Sequence, residues 1–229
     1  MLAQGEVSAV IEEYLEAIYR LQRKHGVANT GDLVKQLDVA PGTVTNTIER
    51  LEKERLVRHV PYRGVKLTAK GRRLALKVLR RHRLAERLLT QLLGINWHKA
   101  HAYACRLEHS LPDEVLNRIE EILDHPKTCP HGSPIPSGTG RVREETAKSL
   151  LEASVGESVS VVKIEEESED RLHYFEGLGI IPGVVLKIEE KAPFDGPITV
   201  DINDVTRAVG RSLASAIHVR PLQHSPSKR

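Results

Sequence analysis

His101, Cys105, Glu108 and His109 stand at offsets 0, 4, 7 and 8 within residues 97–111. That spacing predicts four side chains on one face of a helix. A second helical pattern, 71–93, carries His82 and Glu86 at i and i+4, and the first, 10–22, carries Glu13 and Glu16 at i and i+3. Three helices thus offer imidazole, carboxylate and one thiolate, a donor set suited to a divalent transition metal. With several oxygens and one sulfur, a tetrahedral structural zinc site is the wrong expectation. Taken singly, a histidine is ordinarily a surface or satisfied core residue, and Glu86 beside Arg87 a solvated pair. However, Leu84, Leu88, Leu92, Ala104 and Leu111 tie these patterns to a shared core, where unpaired polar groups would be costly. Nucleophilic catalysis fits less well. Cys105 with His101 or His109 has the makings of a Cys–His pair, but all three share one helix, which leaves no cleft. Ser110 sits in no nucleophile elbow, and no glycine-rich phosphate loop is present. An enzyme acting on a small-molecule substrate is therefore not expected.

The elements ahead of these residues point elsewhere. After the helix at 10–22, with Ile11, Tyr14, Leu15, Ile18 and Tyr19 at helical spacing, Asn29-Thr30-Gly31-Asp32 offers an N-cap. Pro41 and Gly42 punctuate a turn, a second helix spans 43–55, and Val57–Val60 and 65–67 flank Pro61-Tyr62-Arg63-Gly64 as a hairpin. Helix, turn, helix and basic hairpin in that order predict a winged helix-turn-helix, whose second helix enters the major groove of double-stranded DNA. Its first residues, Thr43, Thr45, Asn46 and Thr47, are small hydrogen-bonders. Asn46 can pair with adenine, and a threonine methyl can pack on thymine. Thr30 can offer its hydroxyl and amide to a phosphate. Arg58, His59, Tyr62, Arg63 and Lys66 of the hairpin are phosphate-contacting types. Caps and solvated charges would explain each feature alone; the four elements in sequence favour DNA.

Composition permits this reading. Of 229 residues 40% are hydrophobic and only 3% aromatic, so the cores rest on aliphatic residues and favour helix packing. A net charge of +3 tolerates a nucleic-acid partner without demanding one. Two cysteines, Cys105 and Cys129, cannot build a disulfide framework. No apolar run approaches the ~20 residues of a membrane helix, and the start has no basic region followed by an apolar one. No membrane association and a cytoplasmic location are expected. From about 125 to 138 the chain is rich in Pro, Gly and Ser, which predicts a boundary. Beyond it, strands at 158–164, 184–188 and 198–202 and a helix at 171–178 suggest a small barrel.

Three segments carry a family resemblance: Arg81-His82-Arg83-Leu84-Ala85-Glu86-Arg87-Leu88-Leu89, Ala104-Cys105-Arg106-Leu107-Glu108-His109, and Cys129-Pro130-His131-Gly132-Ser133-Pro134-Ile135-Pro136. They resemble the diphtheria toxin repressor family of iron- and manganese-dependent regulators, over nearly the whole chain. The resemblance implies a mainly α protein with a β-containing C-terminal domain: a winged helix-turn-helix at 1–73, a helical metal-binding and dimerisation domain at 74–127, a Pro/Gly-rich linker at 128–150, an SH3-like barrel at 151–222 and a disordered tail at 223–229. It implies a primary metal site of Glu13, Cys105, Glu108 and His109, with Glu16 as a further carboxylate. It also implies an ancillary site of His82, Glu86 and His101, completed from the barrel by Glu166 and Glu169, with Glu165, Glu167 and Asp170 as alternatives. Iron-responsive members place Met where Glu13 falls, and manganese-responsive ones Asp. Cys105 matches the iron type, whereas Glu16 matches a carboxylate of the manganese type. Thiolate disfavours Mn2+ relative to Fe2+, so Fe2+ is the expected metal and Mn2+ the alternative, with other divalent transition metals expected to substitute in vitro.

The function so implied is a repressor that binds a palindromic operator as a homodimer when loaded with metal and controls metal-homeostasis genes. Two rivals from other classes are a helical metal-binding enzyme or storage protein, for which a winged helix is superfluous, and a protein–protein module. The barrel offers the latter only Tyr174, Phe175 and Phe194 as aromatics.

Overall fold

The structure is a computed structural model that describes residues 8–143 and 145–222; the expected disordered tail lies outside the described residues. The chain divides into two compact units. Of the described residues, the first holds those up to His82 with Glu108–Leu111 and Pro136–Arg141; the second holds Arg83–Leu107, Pro112–Ile135 and those from Val142 on.

In the first unit, helix α1 (Ala9–His25) buries Ile11, Tyr14, Leu15, Ile18 and Tyr19 and stops at Gly26, whose left-handed backbone lets its amide bond to the Gln22 carbonyl. Helix α2 (Thr30–Leu37) starts at the expected cap, where the Asn29 side chain accepts from the Asp32 amide. Helix α3 (Pro41–Lys53) begins two residues earlier than its apolar pattern suggests, because Pro41 fits the first turn, where no amide is needed. Strands β1 (Val57–Val60) and β2 (Gly64–Leu67) pair antiparallel as the wing. Ala28 and Val65 exchange backbone hydrogen bonds of 3.0 and 2.8 Å, and a Cβ on Gly64 would lie 2.1 Å from the Ala28 carbonyl oxygen. Only glycine allows that approach at a φ of 122°. Helix α4 (Ala69–Arg87) follows and contributes its last residues to the second unit.

In the second unit α4 passes into a π-helical turn, Leu88–Leu92, where a helix continuing to 93 is expected. Helix α5 (Trp97–Leu107) is shorter than its pattern: Glu108–Ser110 is a 3₁₀ turn. The expectation of a single helical face through 101, 105, 108 and 109 is therefore corrected, since the last two residues leave the α-helical path. Helix α6 (Asp113–Ile122) comes next. The stretch 128–134, expected as plain linker, is a tight loop: Thr128 bridges to Pro134, and the Cys129 amide bonds to the Ser133 carbonyl at 2.8 Å.

Beyond it β3 (Lys148–Ser149), β4 (Ser158–Ile164), β5 (Val185–Lys191), β6 (Ile198–Ile202), β7 (Val205–Val209) and β8 (Ile217–Pro221) form one antiparallel sheet in the order β3-β8-β4-β5-β6-β7. Helices α7 (Glu169–Leu178) and α8 (Arg211–Ala214) complete the unit. Bulges after Val161 and Ile188 bend the strands. The core they enclose is aliphatic around the single aromatic Phe175, with Trp97 packed against it. The result is the SH3-like domain expected.

Candidate metal centre and nucleic-acid interface

The first cluster belongs to the first unit. His109 lies 2.7 Å by Nδ1 from Glu12 Oε2. An ionised carboxylate only accepts, so this ring nitrogen carries the proton. Glu12 is held in turn by Arg81 at 3.0 Å. The other ring nitrogen, Nε2, is buried without a hydrogen bond, yet lies 3.2 Å from Glu108 Oε1 and 3.8 Å from Glu13 Oε1. Glu108 is buried, with Oε2 2.7 Å from His82 Nδ1. Burial raises its pKa above the usual carboxylate range and the charge of Glu16 adds to that, against the lowering effect of His82 and His109. Glu16 is buried and paired with Arg20 at 2.6 Å. Helix α1 brings Glu12, Glu13 and Glu16, α4 brings His82, and the 3₁₀ turn brings Glu108 and His109.

A buried imidazole nitrogen without a hydrogen bond, facing two carboxylates, suits a divalent cation. The proton held on the far nitrogen by Glu12 fixes the tautomer that ligation requires. Glu12 was absent from the sequence-based set. The i, i+3 pairing selects Glu13 and Glu16 and passes over Glu12, which stands just ahead of that pair and whose partner His109 is distant in sequence.

The second cluster lies in the second unit. Glu86, Cys129 and His131 are all buried, and their ligand atoms lie within 4.8 Å of one another. His131 Nδ1 is 3.2 Å from Glu86 Oε1. Its Nε2–H donates to the Trp97 carbonyl oxygen at 3.1 Å, so Nδ1 is the nitrogen that would ligate, once its own proton is displaced by a metal. Burial works to lower the pKa of His131, but hydrogen bonds to Cys129 and Glu86 outweigh it and carry it up to about 10. The loop is clamped from α4: Arg87 donates to the Thr128 carbonyl at 2.6 Å and Arg83 to that of Pro134. A Cβ on Gly132 would meet the Val162 carbonyl oxygen at 2.1 Å, so the loop sits directly on β4. His101 Nδ1 is 3.7 Å from Glu86 Oε1, and Cys105 Sγ is 3.7 Å from His101 Nε2.

Of the acidic stretch, Glu167 reaches His101, at 4.0 Å. Glu166, the residue matched to that role by the resemblance, is engaged elsewhere in this structure: its Oε1 accepts the amides of Glu167 and Ser168 and its Oε2 binds Arg171, which closes the turn into α7. Glu169 is an exposed residue in the first turn of that helix. Sequence reasoning also missed Cys129 and His131 as a ligand pair. Their Cys-Pro-His spacing was available, but a Pro/Gly-rich setting reads as linker.

The nucleic-acid interface belongs to the first unit. Thr43, Thr45 and Asn46 are exposed at the start of α3, whereas Thr47 is half-buried and stands less available than expected. Thr30 is exposed as the first residue of α2. On the wing Arg58, Tyr62 and Arg63 are exposed and Lys66 is half-buried. Tyr62 projects from the turn at a φ of 60°. Glu52 of α3 holds His59 of β1 at 2.8 Å and so ties the wing to the second helix.

Comparison with known proteins decides the class. Residues 6–65 match the family model described as the iron dependent repressor N-terminal DNA binding domain, residues 68–137 the iron dependent repressor metal binding and dimerisation domain, and residues 148–221 the FeoA domain. The diphtheria toxin repressor of Corynebacterium glutamicum is 33% identical over 223 residues, 93% of this chain and 96% of that protein. The chain belongs to the diphtheria toxin repressor family. It is thus a metal-dependent, DNA-binding transcriptional repressor and not an enzyme. The iron-dependent repressor IdeR of Mycobacterium tuberculosis is 34% identical over 197 residues, 81% of this chain and 86% of that one. Among solved structures, a manganese-dependent transcriptional repressor in complex with manganese superposes with a TM-score of 0.86 at 33% identity, covering 93% of this chain and all of that one. Iron and manganese both occur among relatives of this chain. No described helix is long and apolar enough to cross a membrane.

Proposed function

We propose that this repressor binds a palindromic operator as a homodimer in the cytoplasm when a divalent metal occupies the cluster of Glu13, Glu108 and His109, with Cys105 as the further ligand implied by the family resemblance. The observation that carries the reading is the buried His109 Nε2, turned to Glu108 and Glu13 while Glu12 holds the proton on Nδ1. His82 would serve the same metal through its contact with Glu108, and Glu16 lies close enough to act on Glu108 electrostatically. A divalent metal held there would supply the positive charge that offsets the carboxylates of α1 and the 3₁₀ turn. The residues of the chain do the rest: Glu12 and Arg81 orient His109, and α1 transmits its position to the wing through Gln22, whose side chain accepts from the Leu67 amide at 3.0 Å. Glu86, Cys129, His131 and His101, with Glu167, would form the ancillary site.

Homodimerisation is supported by the large apolar side chains that the helical part of the second unit exposes, Leu92, Leu93, Tyr103, Leu107, Val115 and Ile122. Thr43, Thr45 and Asn46 would read bases, while Thr30, Arg58, Tyr62, Arg63 and Lys66 would hold phosphates. Fe2+ is the proposed metal because of Cys105. Mn2+ is the second reading, favoured by the oxygen and nitrogen donors that make up the first-unit cluster.

Operator affinity titrated anaerobically with Fe2+, Mn2+ and Zn2+ separately tests both. The proposal expects tight binding with Fe2+ at the lowest free metal; activation by Mn2+ alone would reverse the assignment, and metal-independent binding would sink the mechanism. On the DNA side, Asn46→Ala is expected to cost about 1–3 kcal/mol at the operator and little on random DNA. Arg63→Ala should weaken both and flatten the salt dependence.

A further inference from the structure

Neither cluster uses His98, His173 or Glu176. His98 is the second residue of α5; His173 and Glu176 stand at i and i+3 on α7, hence on one face. His98 is buried, and its Nδ1 lies 2.8 Å from Glu176 Oε2. The same oxygen is 3.6 Å from His173 Nδ1. The two imidazole rings face each other at 4.7 Å between centroids, tilted by 60°. One ligand atom from each of the three residues can be chosen so that all lie within 4.8 Å of one another.

Two imidazoles and a carboxylate form a complete set of protein ligands for a borderline divalent metal, with positions left for water. Metal–ligand bonds of about 2.0–2.1 Å place neighbouring donors roughly 3–3.4 Å apart, and the distances of 2.8 and 3.6 Å from Glu176 bracket that span. The side chains of His173 and Glu176 are 71% and 42% exposed, which opens the outer side to entering metal and lets the His173 ring adjust by a rotamer change. A hydrogen bond between His98 and Glu176 alone would need no second histidine one turn away on α7.

We propose that His98, His173 and Glu176 form a third divalent-metal site, separate from the two clusters above, which takes Zn2+ and staples α7 to the first turn of α5. The segment that leads into α7 contains Glu167, the residue that reaches His101, so the staple would also steady the barrel's contribution to the second cluster.

The test is Zn2+ stoichiometry of the purified full chain, by chelator competition and by metal analysis after gel filtration, together with amide exchange in α7. His173→Ala removes an exposed side chain and is expected to leave the thermal midpoint of the metal-free protein unchanged. It should lose one equivalent of Zn2+ and abolish the Zn2+-dependent slowing of exchange in α7. Glu176→Gln should lose the same equivalent, and His125→Ala, an exposed histidine elsewhere, should lose none. If His173→Ala binds as many Zn2+ ions as tightly as the unaltered chain, or if His125→Ala loses as much, the site does not exist and His98–Glu176 is a structural pair.

Discussion

His109 and His131 solve one problem in two ways. Each is a largely buried imidazole with one nitrogen committed to an outer partner and the other turned toward carboxylate. For His109 the outer partner is the carboxylate of Glu12, pinned by Arg81. For His131 it is the neutral carbonyl of Trp97. An ionised partner orients the ring and stabilises it beside a cation more than a carbonyl does. The companions differ too: Glu108 and Glu13 for His109, Glu86 and the Cys129 thiol for His131. The first cluster joins α1, which leads into the DNA-binding elements, to the turn after α5. The second fastens a loop to β4 and α4. Metal at the first should therefore change what the wing and α3 do, whereas metal at the second should mainly stabilise its own unit.

The largest expected effect breaks this comparison most directly. Glu108→Ala should abolish metal-dependent operator binding. If metal tightens the operator complex by a factor of 100, the coupling is about 2.7 kcal/mol, and reciprocity requires the operator to tighten metal binding equally. Removing Glu108 also strips His82 of a buried partner, so Glu108→Gln, which keeps a hydrogen-bonding group there, is the companion variant. Both should fold, by thermal melting, and both should lose the coupling, by fluorescence anisotropy with and without metal. Retained metal dependence in Glu108→Gln would transfer the switch to another site.

The residues that carry this comparison were not equally legible. Helix periodicity found α1, α3, α4 and α5 because each buries a stripe of aliphatic residues, and β4 and β6 because their apolar positions alternate. Strand β7 was missed: four of its five residues are not buried, so an edge strand shows no alternation. Strand β8 buries only Ile217 and Val219 before Pro221, too short a pattern to stand out. The end of α5 at Leu107 carries no glycine or proline; Glu108 and His109 are engaged by His82 and Glu12, partners distant in sequence. Ligands at helical spacing were legible for the same reason as the helices. Cys129 and His131 were not, because what makes them a pair is the packing of Gly132 on β4 and the clamp from Arg83 and Arg87.

A smaller effect sharpens the role of the outer partner. Glu12→Gln keeps an oxygen that can accept from His109 Nδ1 but removes the charge and the ion pair with Arg81. Loss of outer partners of metal-ligating histidines typically costs 10–100-fold in metal affinity. Because the amide preserves the geometry, the low end, about 10-fold, is expected, with stoichiometry unchanged and full operator binding recovered at higher metal. The cost should appear at the first cluster only. An unchanged metal affinity would make Glu12 a structural partner of Arg81, and a lost equivalent would make it a ligand in its own right.

The smallest effect on DNA binding is expected from Cys129→Ser, and it is the one that reads the chemistry of the second cluster. Cys129 is buried, unbridged and within ligand distance of Glu86 and His131. A hydroxyl in its place keeps the approximate shape and removes the soft donor, leaving a set of oxygen and nitrogen. Metal binding at a thiol requires the proton to leave, a step that serine does not take at neutral pH. Operator binding should weaken several-fold while remaining metal-dependent, since the first cluster is intact. The loss should also depend on the metal: removal of sulfur should weaken Fe2+ and Zn2+ more than Mn2+, which gains least from thiolate. Titrations of the variant with the three metals would show the gap between Fe2+ and Mn2+ narrow relative to the unaltered chain. Equal losses for all three would mean that Cys129 packs against β4 without ligating. A loss as severe as that of Glu108→Ala would invert the order of the two clusters, and place the coupling to DNA in the loop that Gly132 and the two arginines hold, rather than in the turn where His109 meets Glu108.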